Sequence, residues 1–208
     1  MCGRYVVKNP VTKTSSLVKS AIQVEDTENY NAHPYQKLPV IKKYKNGNTL
    51  ESLKWGLVPS WAKNKEFKAL INARLETIDE KVSFKKLIKN HRCVAVADGF
   101  YEWKREENEK TPHYFVRKDT KVIYFAGIFE DDQFCLITEE ANENIKEIHH
   151  RQPVILNQAD VNRYLNLELQ GSAFLNERKV PDLVFHEVSK DVNKPTNNTA
   201  SLIQKISN

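Results

Sequence analysis

The chain has 208 residues, 40% of them hydrophobic, with 32 Lys and Arg against 27 Asp and Glu and three cysteines. That length makes one domain the default and supplies enough apolar material for a sizeable core. No run approaches about 18 consecutive apolar residues, which argues against a membrane-spanning helix, and Arg4, Lys8, Lys13 and Lys19 break up any secretory h-region. The expectation is a cytoplasmic protein, or a nuclear one if the source is eukaryotic, and a net charge of +5 permits a polyanionic partner without requiring one.

In chain order, residues 12–24 (TKTSSLVKSAIQV) carry Thr and Ser in cap positions before an apolar-periodic stretch and read as a short helix. Residues 39–59 read as two strands around Asn46-Gly47, the dipeptide suited to a type I′ hairpin turn. Residues 80–90 read as a helix with Phe84, Leu87 and Ile88 on one face. A strand-rich centre follows: RCVAVADGFYEWKR, HYFVRK, KVIYFAGIFE and QFCLITEE are β-branched or aromatic runs between short polar turns. EEANENIKEIHH and NQADVNRYLNLEL read as helices flanking a short strand PVIL, and LVFHEV is the last strand before a polar tail. Strands without strict βαβ alternation predict an α+β fold, with a mainly antiparallel β-sheet or barrel core decorated by short helices.

The cysteines Cys2, Cys93 and Cys135 are odd in number and far apart, so neither a disulfide framework nor a local zinc pair can be built from them. Cys93 and Cys135 sit in apolar runs and read as buried small hydrophobes. Cys2 has no such context, at a terminus where side chains are usually exposed. A small second residue permits removal of Met1, which would leave Cys2 with a free α-amine beside its thiol. Such a 1,2-aminothiol condenses with an aldehyde and closes a thiazolidine ring. Roughly 15% of an ordinary α-amine is neutral and about 3% of an ordinary thiol is thiolate at pH 7. Taken by position alone, a chance cysteine is the commoner meaning.

Other segments bear on that choice. INARLET places Asn72 and Arg74 two apart, and Arg suits bidentate phosphate contact, although a solvated Arg beside a turn Asn is the plainer reading. In ADGFYEW, Glu102 lies between Tyr101 and Trp103, an apolar setting that would raise its pKa and suit acid–base work. An outward-facing strand residue is its ordinary alternative. IHHRQP supplies His149, His150 and Arg151, without the spacing of a metal pair. WGLVPSWAK sets Trp55 and Trp61 beside Lys54 and Lys63, as in single-strand binders but also as in many cores.

Together, MCGRY, WGLVPSWA, INARLET, RCVAVADGFYEW, FAGIFE, CLITEEAN and IHHRQPVIL resemble, in order and spacing, the SRAP (SOS response-associated peptidase) family. The resemblance implies one SRAP domain over residues 2–195 and a polar C-terminal tail over 196–208. It implies a DNA-damage protein that binds single-stranded DNA and captures abasic sites by a thiazolidine crosslink to Cys2. In that reading Cys2 is the nucleophile, Asn72 positions the sugar, Glu102 is the acid–base carboxylate and His149, not His150, shuttles protons. Arg4, Trp61, Arg74 and Arg151 are DNA contacts. No cofactor and no metal are implied, and the protein is expected to be a monomer associated with a bacterial nucleoid. The chain departs from the family pattern at Ser60, where an aromatic often stands, and in AHPYQ, where APTQ is usual. A cysteine peptidase with Cys2 as nucleophile is the alternative that the family name carries.

Overall fold

The computed structural model describes residues 2–63, 66–107 and 109–206. Its regular elements are β1 (Tyr5–Lys8), α1 (Pro10–Thr14), β2 (Ser20–Ile22), β3 (Glu28–Ala32), β4 (Lys37–Tyr44), β5 (Gly47–Trp55), β6 (Asn72–Arg74) and α2 (Leu87–Asn90). The centre holds β7 (Arg92–Ala97), β8 (Gly99–Glu106), β9 (Glu109–Arg117), β10 (Ile123–Glu130) and β11 (Gln133–Glu140). Then come α3 (Glu143–Lys146), β12 (Arg151–Pro153), β13 (Ile155–Leu156), α4 (Gln158–Leu165), α5 (Ala173–Glu177) and β14 (Leu183–Glu187).

The strands form two sheets, ordered β14-β9-β8-β1-β3 and β12-β11-β10-β7-β4-β5-β2. In the second, β5 also pairs with β11, Lys54 opposite Gln133 and Trp55 opposite Phe134. That pairing joins β11-β10-β7-β4-β5 into a closed barrel and removes its free edges. Most ladders are antiparallel, as expected for α+β; the parallel exceptions are β2 and β11 on β5, and β6 on β11.

Barrel strands are buried on both faces, and alternation sends neighbouring residues to different cores. On β7, Cys93, Ala95 and Ala97 join an aromatic cluster with Tyr5, Trp55, Phe100, Phe115, Phe125 and Phe134. Val94 and Val96 instead meet Tyr164, Leu165, Phe174 and Leu175, the apolar faces of α4 and α5. Asp98 is the single residue by which the chain passes from barrel strand β7 to β8 of the other sheet. Its carboxylate accepts the Lys8 amide at 2.8 Å and pairs with Lys13. Gly99 follows because a Cβ there would come within 2.5 Å of the Phe115 carbonyl oxygen and collide with the Tyr114 ring.

Three local expectations are corrected. The helix over 12–24 is only α1, after which the Lys19 amide bonds to the Asn48 carbonyl at 2.9 Å and the chain joins β5 as β2. The helix over 80–90 shrinks to α2, though Phe84, Leu87 and Ile88 are buried as anticipated. In the β4–β5 hairpin the two-residue loop is Lys45-Asn46, with Tyr44 opposite Gly47. Neither loop residue has a positive φ, so the turn is not type I′; the positive φ, 130°, falls on Gly47.

The C-terminal segment is not a free tail. Asn198 Oδ1 accepts the Tyr30 amide at 2.7 Å, and the Ile206 amide donates to the Glu187 carbonyl at 3.2 Å. Leu202 is buried in a small core with Val6, Tyr101, Tyr114, Val188 and Val192. This strap lies over the five-stranded sheet and reaches the pocket described next. The last two residues of the predicted tail lie outside the described residues.

Candidate active site

Cys2 enters the fold just before β1, and the structure does not leave it exposed: its relative exposure is 0%. Pairing of β1 with β3 and β8 draws the start of the chain under the sheet. The thiol points toward the Arg4 carbonyl at 4.0 Å, and the Cys2 carbonyl accepts Asn72 Nδ2 at 3.0 Å. Burial, aided by the nearby Glu102 carboxylate, pushes the thiol pKa far up, so the resting group is a protonated thiol. Met1, whose removal the aminothiol chemistry needs, lies outside the described residues.

Glu102 sits on β8 opposite His113 of β9 and is 2% exposed. Burial raises its pKa to about 7. A carboxyl poised there is about equally acid and base at neutral pH, the condition for proton transfer in either direction. It lines a pocket of about 460 Å³ with Gly3, Arg4, Trp103, Arg105, Lys110, His149 and Asn193.

His149 stands before β12 and is held by the backbone of Arg151, whose amide nitrogen and carbonyl oxygen each lie 3.0 Å from Nδ1. Burial lowers its pKa to about 4, so the ring is neutral at pH 7. His150 stacks on it, centroids 4.5 Å apart, and is itself exposed.

The predicted cations divide. Arg4 Nη1 donates to Asn31 Oδ1 at 2.6 Å and to the Val192 carbonyl at 2.8 Å, tying the start of the chain to the C-terminal strap. Arg151 is 8% exposed; it makes two bonds to Glu76, at 2.7 and 3.0 Å, and one to the Thr138 carbonyl at 2.7 Å. Its two terminal nitrogens are thus bonded within the protein, so a DNA phosphate at the expected contact would compete with Glu76 and Thr138. Arg74, on the same short strand as Asn72, is exposed and has no ion pair among the described residues. Trp61 is 49% exposed, its ring edge-on to Phe67 at 5.5 Å, beyond the pocket lining.

The structure therefore gathers Cys2, Asn72, Glu102, His149 and Arg4, and leaves Arg74 and Trp61 on the surface. Sequence reasoning missed Arg105, Lys110 and Asn193. The first two meet through hairpin register and the third through the strap, and local pattern reports neither. Asn72 also borders a second, apolar pocket lined by Pro34, Tyr35, Lys68, Ala69, Leu70 and Ile71. Among the described residues no group of three His, Cys, Asp or Glu side chains can hold a metal ion, and no helix is long and apolar enough to cross a membrane.

Comparison with known proteins identifies relatives along nearly the whole chain. Abasic site processing protein YoqW of Bacillus subtilis is 33% identical over 222 residues, which cover 98% of this chain and 99% of that protein. Abasic site processing protein YedK of Escherichia coli is 29% identical over 99% of this chain and all of that protein. A crystal structure of a Bacteroides thetaiotaomicron protein superposes with a TM-score of 0.84 at 25% identity, over 99% of this chain and 100% of that one. The family described as SOS response associated peptidase (SRAP) matches residues 1–195, and the chain belongs to it.

Proposed function

We propose that this protein processes abasic sites by capturing them covalently in single-stranded DNA through Cys2. The observation that carries the reading is Glu102: a buried carboxyl with a pKa near neutrality, close enough to Cys2 for its charge to act on the thiol. The names of the relatives YoqW and YedK support the substrate.

The chemistry balances without a cofactor. After Met1 is removed, the Cys2 amine adds to the aldehyde of the ring-opened deoxyribose, and loss of water gives an imine. Glu102 supplies the proton that makes water a leaving group and takes one from the attacking amine. The thiol then adds to the imine carbon, its proton passes to the nitrogen, and the thiazolidine ring closes. Asn72 fixes the Cys2 backbone for this sequence. Neutral His149 serves as a hydrogen-bonding relay beside Glu102. Arg74 supplies a phosphate contact, Trp61 a stacking surface, and Arg4 holds the pocket wall. The protein works as a cytoplasmic monomer on this reading.

A cysteine peptidase is less well supported. A thiolate–imidazolium pair lowers the cysteine pKa and raises that of the histidine. Here burial moves both in the opposite sense.

The test is an oligonucleotide with one abasic site. A denaturation-resistant adduct is expected with the native chain and not with Cys2→Ser or an acetylated Cys2 amine. Equally stable adducts from those forms would sink the thiazolidine reading.

A further inference from the structure

We propose that Arg105 and Lys110 form a phosphate seat for the DNA strand at the mouth of the Glu102 pocket. The assignment rests on the reading of that pocket as the seat of a DNA lesion.

Two independent observations carry it. Arg105 on β8 and Lys110 on β9 are direct cross-strand partners in the hairpin. Like charges placed opposite one another in a ladder destabilise it. Carboxylates stand within a few residues at Glu106, Glu107 and Glu109, yet the pair makes no ion pair among the described residues. Glu106 is taken by Lys104 at 2.6 Å, and Glu109 by Lys190 of the strap. The hairpin carboxylates thus pair with Lys104 and with Lys190 of the strap, and the two cations that face each other have no ion pair among the described residues.

The second observation is where they stand. Both line the pocket that contains Glu102, Trp103 and His149. Burial chiefly sets the proton affinities of Glu102 and His149, and the charge of Arg105 reaches both. The other Arg in the lining, Arg4, spends its donors on Asn31 and the strap. Lys110 also borders the acidic outer face of the hairpin tip, beside Glu106, Glu107 and Glu109. Even there it gains no partner among the described residues. A paired cation site opening onto a reactive carboxyl fits the phosphodiester next to the reacting sugar: Arg offers a planar fork and Lys a point charge.

The experiment measures non-covalent binding of an intact, fluorescein-labelled single-stranded oligothymidylate by anisotropy across a salt series. Each phosphate neutralised on a single strand contributes about 0.7 to the slope of log K against log salt. The R105A/K110A variant should bind about tenfold more weakly and lose about 0.7 to 1.4 of slope. The K104A/K190A variant removes the same charge from lysines that already have partners and should keep the native slope. Without DNA, R105A/K110A should melt no lower than the native chain, which shows that it folds. An unchanged slope in R105A/K110A, an equal loss in both variants, or no strand binding by the native chain would overturn the proposal. So would displacement of the strand by millimolar inorganic phosphate at matched ionic strength, which would assign the pair to free phosphate. Because the strand carries no lesion, a native chain that binds it but forms no adduct with an abasic one would fail the capture reading and leave the seat standing.

Discussion

Glu76 and Arg151 are joined by two hydrogen bonds, at 2.7 and 3.0 Å, across β11. β6 pairs with one edge of that strand and β12 with the other. Glu76 follows β6, which carries Asn72; Arg151 opens β12 and holds His149 by its backbone. The ion pair therefore fixes the spacing between the two sides of the site.

Breaking this pair should damage both stability and capture. Arg151 is nearly buried while Glu76 is about half exposed, so Glu76→Ala should cost about 1–3 kcal/mol, less than a fully buried pair. Urea denaturation measures that loss. Capture by the folded fraction should slow as well, because Arg151, whose backbone holds His149, is no longer fixed by Glu76. A charge-reversed double variant, Glu76→Arg with Arg151→Glu, should recover part of the stability. If E76A captured abasic DNA at the native rate, the pair would be structural only.

Glu102 makes a prediction in pH. Its folded pKa, about 7, lies above the ordinary carboxylate value of 4.5. Between those values the folded state binds more protons than the unfolded, so stability falls as pH rises through that window. His149, lowered from 6.5 to about 4, acts in the opposite direction between pH 4 and 6.5. Glu102→Gln should therefore be more stable than the native chain at pH 8, by on the order of 1–3 kcal/mol, and about equal at pH 4. Denaturation at the two pH values decides it; a destabilised E102Q at pH 8 would contradict the raised pKa.

Much of this was legible beforehand because the chemistry sits in short local motifs. Residue type and neighbours make Cys2, Asn72, Glu102 and the His149-His150 pair candidates, the family resemblance supplies their roles and the choice of His149, and β-branched and aromatic runs mark the barrel strands. What stayed hidden depended on pairing between distant segments. Helical periodicity over residues 12–24 lost to the parallel ladder with β5. The partner of Arg151 is equally invisible in its local motif, since β11 lies between it and Glu76. The burial of Cys2 was concealed for the same reason, since β1 is covered by partners far along the chain.

That burial sharpens a prediction about the order of events. With the thiol protonated, the amine should react first and the thiol should close the ring afterwards. Cys2→Ser should then give an adduct only when borohydride is added to reduce the imine, while the native adduct survives denaturation untreated. An extra residue ahead of Cys2 should abolish both adducts and leave the melting temperature within a few degrees. A stable adduct from such an extended chain would mean that a group other than the α-amine reacts.

The C-terminal strap yields the last prediction. Leu202 is 1% exposed among Tyr101, Tyr114 and Val192, and Arg4 bonds to the strap at Val192. Asn31 adds three more bonds, to the carbonyls of Val192, Lys194 and Asn197 at 3.2, 3.1 and 2.9 Å. Asn193 of the strap also lines the Glu102 pocket and accepts Trp103 Nε1 at 2.7 Å. Leu202→Ala should therefore destabilise the chain by about 2–4 kcal/mol, as for other buried leucines. Limited proteolysis should cut the strap of L202A sooner than that of the native chain. Capture should weaken too, because one wall of the pocket is lost, and a Leu202→Met variant should restore both. Native capture by L202A with a cleaved strap would show instead that the wall is dispensable.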